Sequence, residues 1–188
     1  MNTNLFRLAG WSAILSAIAT IVGAVTLVIF FSVGEPYGTI NDVSSVIIGL
    51  TAILILFTLY QTHRTSAPTT SLIAFVIGAV AMLIGATLQA LLVIADMVFG
   101  NIVTLVFGVY GVSLLTFGWL AASSGIFPRG LAWTGIVAGL GYVLVTTGFI
   151  LGEQNHPLTY IGGAISVIAY PIWAFWLGRI WLMTAKPF

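Results

Sequence analysis

The sequence has 188 residues, of which 60% are hydrophobic and only 5% are charged, and its formal net charge is +1. A soluble domain carries about 25% charged residues, so this composition excludes a water-facing surface over most of the chain. The small net charge provides no electrostatic footprint for nucleic acid, and the absence of cysteine excludes disulfides, thiolate metal sites and cysteine nucleophiles.

The sequence contains six uncharged apolar runs, each long enough for a helix to cross a bilayer. A bilayer core of about 30 Å needs about 20 apolar residues in a helix. The connections are short, which leaves room only for antiparallel neighbours, and Asn41 or Asp42 is predicted to cap the second helix. The chain is therefore predicted to be all-α, a single domain of six antiparallel transmembrane helices over residues 1–188. The predicted helices cover residues 8–33, 43–60, 72–95, 102–122, 131–151 and 159–176, the last continuing to about residue 183.

The charged residues separate by side once the six crossings are counted from the N-terminus. Cytoplasmic loops collect Lys and Arg, so this pattern predicts a protein of the cytoplasmic membrane with both termini in the cytoplasm. All basic residues fall on one side and all acidic residues on the other: Arg7, Arg64, Arg129, Arg179 and Lys186 against Glu35, Asp42, Asp96 and Glu153.

Two polar residues of the third predicted helix form the first candidate site. Gln89 lies in the outer half of that helix, and Asp96 lies on the same face near its outer end. Polar groups inside a bilayer are costly and often functional, so the pair predicts an outward-facing vestibule for a cation or a polar headgroup. The alternative is that Gln89 bonds to a neighbouring helix while Asp96 faces water or caps the fourth helix.

Three tyrosines form the second candidate site. Tyr110, Tyr142 and Tyr170 lie near the midpoints of the last three predicted helices, where a phenol hydroxyl needs a hydrogen-bond partner. This common depth predicts that the three hydroxyls share a polar pocket in an apolar bundle. The alternative is a set of separate helix-to-helix hydrogen bonds without a ligand.

Further groups at the same depth extend this predicted pocket. Pro171 cannot donate to the carbonyl of Val167, so the last helix is predicted to kink there and to free an acceptor. Thr146 and Thr147 lie one turn beyond Tyr142 and could supply further hydroxyls.

Aromatic residues dominate the end of the last helix. Trp173, Trp176 and Trp181 suit stacking on a pigment, a quinone or a lipid; the alternative is an inner aromatic belt in which Arg179 reaches the headgroups. His63 is predicted to lie at the inner interface. The second histidine falls on the opposite side, so the two cannot share a metal ion or haem.

Small residues recur four positions apart, on one face of a helix. Such pairs let two helix backbones approach closely, within the bundle or, alternatively, across a dimer. The pairs are Gly135 with Gly139, Gly148 with Gly152, Ala81 with Gly85, and Gly162 with Ser166.

Three short segments carry a resemblance to known families. They are residues 127–133 (FPRGLAW), 139–142 (GLGY) and 170–173 (YPIW). In these segments the chain resembles bacterial six-helix integral membrane families that are described only as domains of unknown function. The resemblance implies six helices and a bacterial cytoplasmic membrane, and it transfers no catalytic or binding residue.

No metal-binding helix motif, phosphate loop or nucleophile elbow occurs in the chain, so the sequence predicts a protein that is not an enzyme. It favours an accessory subunit of a membrane complex, or a binder of a lipid, quinone or pigment. The alternative is a small transporter or channel. The expected partners are the lipid bilayer and other membrane subunits or further copies of the chain. No cofactor is predicted apart from such a bound lipophilic molecule.

Overall fold

The computed structural model describes residues 3–99 and 102–185, and within them the chain folds into six α-helices with no strand. This confirms the predicted all-α class. All six are long and apolar enough to cross a membrane. The helices are α1 (Thr3–Val33), α2 (Tyr37–His63), α3 (Pro68–Ala95), α4 (Ile102–Ser124), α5 (Arg129–Gly152) and α6 (Pro157–Thr184), with one 3-10 turn at Glu153–Asn155.

The helix α2 begins earlier than the apolar run predicts. It starts at Tyr37, so Asn41 and Asp42 lie inside the helix and the prediction that one of them is its N-cap is wrong. Glu35 explains the difference. Its carboxylate accepts hydrogen bonds from the backbone N–H of Thr39, at 3.1 Å, and from the Thr39 hydroxyl, at 2.9 Å. A carboxylate at this position satisfies a free N–H and favours the positive end of the helix dipole.

The six helices form a closed ring in which each packs against its neighbours in sequence and α1 packs against α6. Close contacts show that the paired helices run antiparallel. Gly10 near the start of α1 meets Gly178 near the end of α6, and a methyl group on Gly178 would lie 2.7 Å from the Gly10 carbonyl oxygen. This contact between the first and last helices closes the ring.

The antiparallel ring gives the bundle two ends of opposite charge. The end with Arg7, Arg64, Arg129 and Arg179 is called the arginine end; Lys186 lies outside the described residues. The other end is called the carboxylate end. It carries Glu35, Asp42, Asp96 and Glu153.

The predicted faces of small residues pack against other helices of the bundle. In one pair, the two glycines contact different helices. A methyl group on Gly139 would lie 2.6 Å from the carbonyl oxygen of Gly111, so this glycine admits the backbone of α4. A methyl group on Gly135 would instead lie 2.7 Å from the indole nitrogen of Trp173 on α6. The helix α5 therefore packs against both α4 and α6 through one row of glycines.

His63 ends α2 at the arginine end of the bundle, and its side chain points into the interior. It is completely buried, and its ring centroid lies 6.0 Å from that of Phe117 and 5.9 Å from that of Phe127. The connection between α4 and α5 carries Phe127 over this end of the bundle and shields the imidazole from solvent. The His63 Nδ1 lies 2.9 Å from the carbonyl oxygen of Leu59.

Candidate ligand-binding site

The tyrosines of α4, α5 and α6 meet in the interior of the ring. The ring centroids of Tyr110 and Tyr142 lie 5.7 Å apart, those of Tyr142 and Tyr170 5.7 Å, and those of Tyr110 and Tyr170 6.0 Å. All three pairs are edge-to-face, an arrangement that the quadrupole of aromatic rings favours. The structure therefore brings together three residues that the sequence places at one depth.

The hydroxyls of two of these tyrosines form a buried chain that reaches α1. Tyr110 donates to the hydroxyl of Tyr170 at 3.1 Å, and the Tyr170 hydroxyl lies 2.7 Å from Oγ of Ser16. Neither Tyr110 nor Tyr170 is exposed, and Ser16 is equally buried. Since a phenol has one proton, Tyr170 donates onward to Ser16 whenever it accepts from Tyr110. Three helices are joined by this chain, to which Tyr142 contributes no hydroxyl.

A cavity of about 250 Å³ lies beside this chain, in the half of the bundle towards the carboxylate end. Five helices line it, and α3 does not. Most of the wall is apolar or aromatic, and Tyr142 is the one predicted site residue that reaches it. The lining residues are Thr20, Gly23, Ala24, Leu27, Asn41, Ser45, Ile48, Val103, Thr104, Phe107, Tyr142, Val145, Gly163, Ser166 and Val167.

The hydroxyl protons of the wall are largely engaged within the protein. Thr20 donates to the carbonyl of Ser16 at 2.8 Å, Ser45 to that of Asn41 at 3.1 Å, and Ser166 to that of Gly163 at 3.0 Å. Each of these bonds stays within one helix. The oxygen lone pairs therefore remain as the polar groups that these three side chains can offer to a ligand.

Comparison with known proteins finds no matching family model, no matching curated protein and no matching solved structure. The resemblance to bacterial six-helix families stays a prediction.

Gln89 and Asp96 do not join this cavity. Gln89 is buried on α3, whereas Asp96 is exposed and ends α3 in the left-handed conformation, with φ of 51°. Neither is among the residues that line the cavity. The cavity beside Tyr142 is therefore not the outward-facing vestibule predicted from this pair, which stays a prediction.

The aromatic residues of α6 divide between the interior and the surface. Trp173 is buried, and its ring lies 5.8 Å from that of Tyr170, so it supports the tyrosines from the arginine side. Trp176 is 37% exposed and packs over Gly130. Trp181 is buried beside Phe6 rather than placed in an interfacial belt.

Thr146 and Thr147 on α5 donate hydrogen bonds to backbone carbonyls and not to the tyrosines. Thr146 donates to the carbonyl of Thr104 at 2.7 Å and thereby links α5 to α4. Thr147 donates to the carbonyl of Val143 in its own helix at 2.8 Å. The predicted extension of the pocket by these hydroxyls is therefore wrong.

Sequence reasoning missed the contribution of α1 and α2 to the site. Ser16 and Thr20 lie one turn apart near the middle of α1, at the depth where a polar residue in an apolar run is costly. That cost is the signal by which they could have been found. Asn41 carried no comparable signal, because the predicted start of α2 placed it in a loop, and Ser45 lay in the first turn of that predicted helix, near the membrane surface.

Among the described residues, no group of three His, Asp or Glu side chains is placed to hold a metal ion. The cavity wall offers apolar side chains, aromatic rings and a few polar oxygen atoms.

Proposed function

We propose that this chain is a non-catalytic integral membrane protein that binds a small lipophilic molecule in the cavity beside Tyr142. The observation that carries the proposal is the composition of the cavity wall, which combines aliphatic side chains, the aromatic rings of Phe107 and Tyr142 and a few polar atoms. Sites for small molecules have this character, with an apolar wall for affinity and few polar groups for orientation.

The orientation of the bundle follows from its charged ends. We propose that the arginine end faces the cytoplasm, because Lys and Arg accumulate on that side of membrane proteins. The cavity then lies in the outer half of the cytoplasmic membrane, within reach of molecules in the outer leaflet.

Binding within the chain is favoured over a role as an accessory subunit. The small-residue pairs that could seat a partner helix are largely occupied: a methyl group on Gly162 would meet the backbone of α5 at 2.5 Å, and Gly148 is in contact with Thr159. These faces stabilise the bundle itself and leave less surface for a second subunit.

A variant of Gly163 tests the proposal without disturbing the fold. Gly163 lines the cavity, and a methyl group on it would have no neighbour within 4 Å. We expect Gly163→Leu to fill the cavity and to displace the bound molecule, which native mass spectrometry of the gently extracted protein would show as a lost mass. Ile172→Leu, on an exposed position of the same helix, is the matched control and should keep it. Retention of the molecule by Gly163→Leu, or its absence from the unmodified protein, would contradict the proposal.

A transporter is the second candidate. It is supported by the one-sided position of the cavity, because the fully buried side chains of Phe117, Leu177 and Trp181 fill the arginine half. Transport would require the hydroxyl chain of Tyr110, Tyr170 and Ser16 to open. Uptake by proteoliposomes of the molecule identified by mass spectrometry would favour the transporter, and a binder would show none.

A further inference from the structure

The polar atoms of the cavity wall are mostly acceptors. The hydroxyl protons of Thr20, Ser45 and Ser166 are donated to carbonyls of their own helices. Tyr142 and Thr104 keep hydroxyl protons and Asn41 keeps one amide proton, but the oxygens of all three side chains also accept. A ligand that needs donors, such as a carboxylate or a phosphate, would therefore find few of them in this wall.

Asn41 adds a further acceptor where α2 faces α1. Its amide nitrogen lies 3.4 Å from Oδ1 of Asp42, to which it donates. Its Oδ1 lies towards Gly23, since a methyl group there would be 3.4 Å from that oxygen. Both Asn41 and Gly23 line the cavity, so the amide group belongs to the wall and its nitrogen contacts the carboxylate of Asp42.

The charged residues at the end of the bundle nearest the cavity are carboxylates. The cavity lies towards the carboxylate end, whereas the four described arginines lie at the opposite end of the bundle. A cleft next to charges of one sign concentrates ions of the other sign. This end of the protein therefore attracts cations and repels anions.

The aromatic part of the wall also suits a cation. The rings of Phe107 and Tyr142 are stacked, with centroids 5.8 Å apart and an interplanar angle of 17°. Both residues line the cavity. A ring face that is not covered by its stacking partner attracts an ammonium group, and more strongly where water is excluded.

We infer that the molecule bound in this cavity is a primary amine in its protonated form, carried on a small apolar or aromatic body. An ammonium group has three donors and no acceptor, which complements a wall of acceptors next to carboxylates. The apolar body occupies the region of Ile48, Val103 and Val145. This inference rests on the proposed function, because it specifies the chemical class of the lipophilic ligand.

Three probes of similar size and different charge test the inference. They are 2-phenylethylammonium, the neutral 2-phenylethanol and the anion phenylacetate, titrated by calorimetry against the protein in nanodiscs of zwitterionic lipid at low salt. We expect the ammonium to bind about tenfold more tightly than the alcohol, and phenylacetate to bind most weakly.

Variants distinguish the effect of the carboxylate charges on binding from the effect of filling the cavity. Asp42→Asn should weaken binding of the ammonium several-fold and leave the alcohol unchanged. Asp96→Asn removes a carboxylate at the same end on α3, which does not line the cavity, and should have a smaller effect. Gly163→Leu should abolish binding of both probes.

The outcomes distinguish this inference from the proposed function. If the alcohol or phenylacetate binds as tightly as the ammonium, and Gly163→Leu abolishes that binding, the inference is overturned while the lipophilic site stands. If none of the probes binds the unmodified protein, the inference is overturned, and native mass spectrometry of the unmodified protein and of Gly163→Leu decides whether the lipophilic site stands. Preference for the ammonium that is reduced by Asp42→Asn supports both.

Discussion

At the scale of the residue, Tyr170 is the side chain that links three helices at the centre of the bundle. Its ring meets those of Tyr110, Tyr142 and Trp173, and its hydroxyl connects Tyr110 on α4 to Ser16 on α1. A hydroxyl buried in this position would be costly without partners, so the chain of hydroxyls specifies which faces of α1, α4 and α6 are directed into the ring.

The bond between Ser16 and Tyr170 should appear as an interaction energy between the two side chains. We expect the double variant Ser16→Ala with Tyr170→Phe to deviate from the sum of the single variants by about 0.6 kcal/mol, the average for such bonds in membranes. The measurement is the free energy of unfolding in mixed detergent.

Tyr142 provides the control for that cycle. Its ring touches Tyr170, but its hydroxyl is outside the chain, so Tyr142→Phe with Tyr170→Phe should be additive within about 0.3 kcal/mol. Additivity in both cycles would show that the hydroxyl of Tyr170 does not stabilise the contact with α1.

At the scale of the element, glycines determine how closely the helices approach. The contact between α4 and α5 depends on Gly111 and Gly139, whose backbones face each other, and that between α5 and α6 on Gly141 and Gly162. Lipid supplies little hydrophobic driving force for helix association, so close packing of backbones contributes much of the stability.

Gly139→Ala should destabilise the protein by about 1–3 kcal/mol, because the new methyl group would lie 2.6 Å from the Gly111 carbonyl oxygen and force the helices apart. Thermal unfolding in detergent is the measurement. Gly163→Ala, with open space around the position, is the matched control and should be neutral or stabilising by up to about 1 kcal/mol, the gain in helix propensity. Equal losses of stability from the two variants would contradict the packing that distinguishes them.

At the scale of the whole molecule, the antiparallel ring separates the charges by end. Each of the described arginines lies at or beside a helix terminus of the arginine end, and the carboxylates lie at the other. This separation predicts both the orientation in the membrane and the sign of the potential around the cavity.

The orientation can be measured by labelling single cysteines, since the chain has none of its own. Ser66 is exposed at the arginine end and Gln154 at the carboxylate end. We expect an impermeant maleimide to label Gln154→Cys in intact cells and to label Ser66→Cys only after permeabilisation. The opposite pattern would show that the carboxylate end is cytoplasmic and would place the cavity in the inner half of the membrane.

The sequence by itself determined the fold class, the number of helices and the separation of charges, because a bilayer requires long apolar helices whose ends carry the polar residues. It also placed Tyr110, Tyr142 and Tyr170 at one depth, since depth follows from position along a helix. Only the tertiary structure decided that α1 closes the ring against α6, that Ser16 is the partner of Tyr170, and that the cavity lies next to Tyr142 rather than Gln89. The physical reason is that lipid-facing and interior residues are both apolar in a membrane, so the hydrophobic pattern does not reveal which face of a helix meets which neighbour.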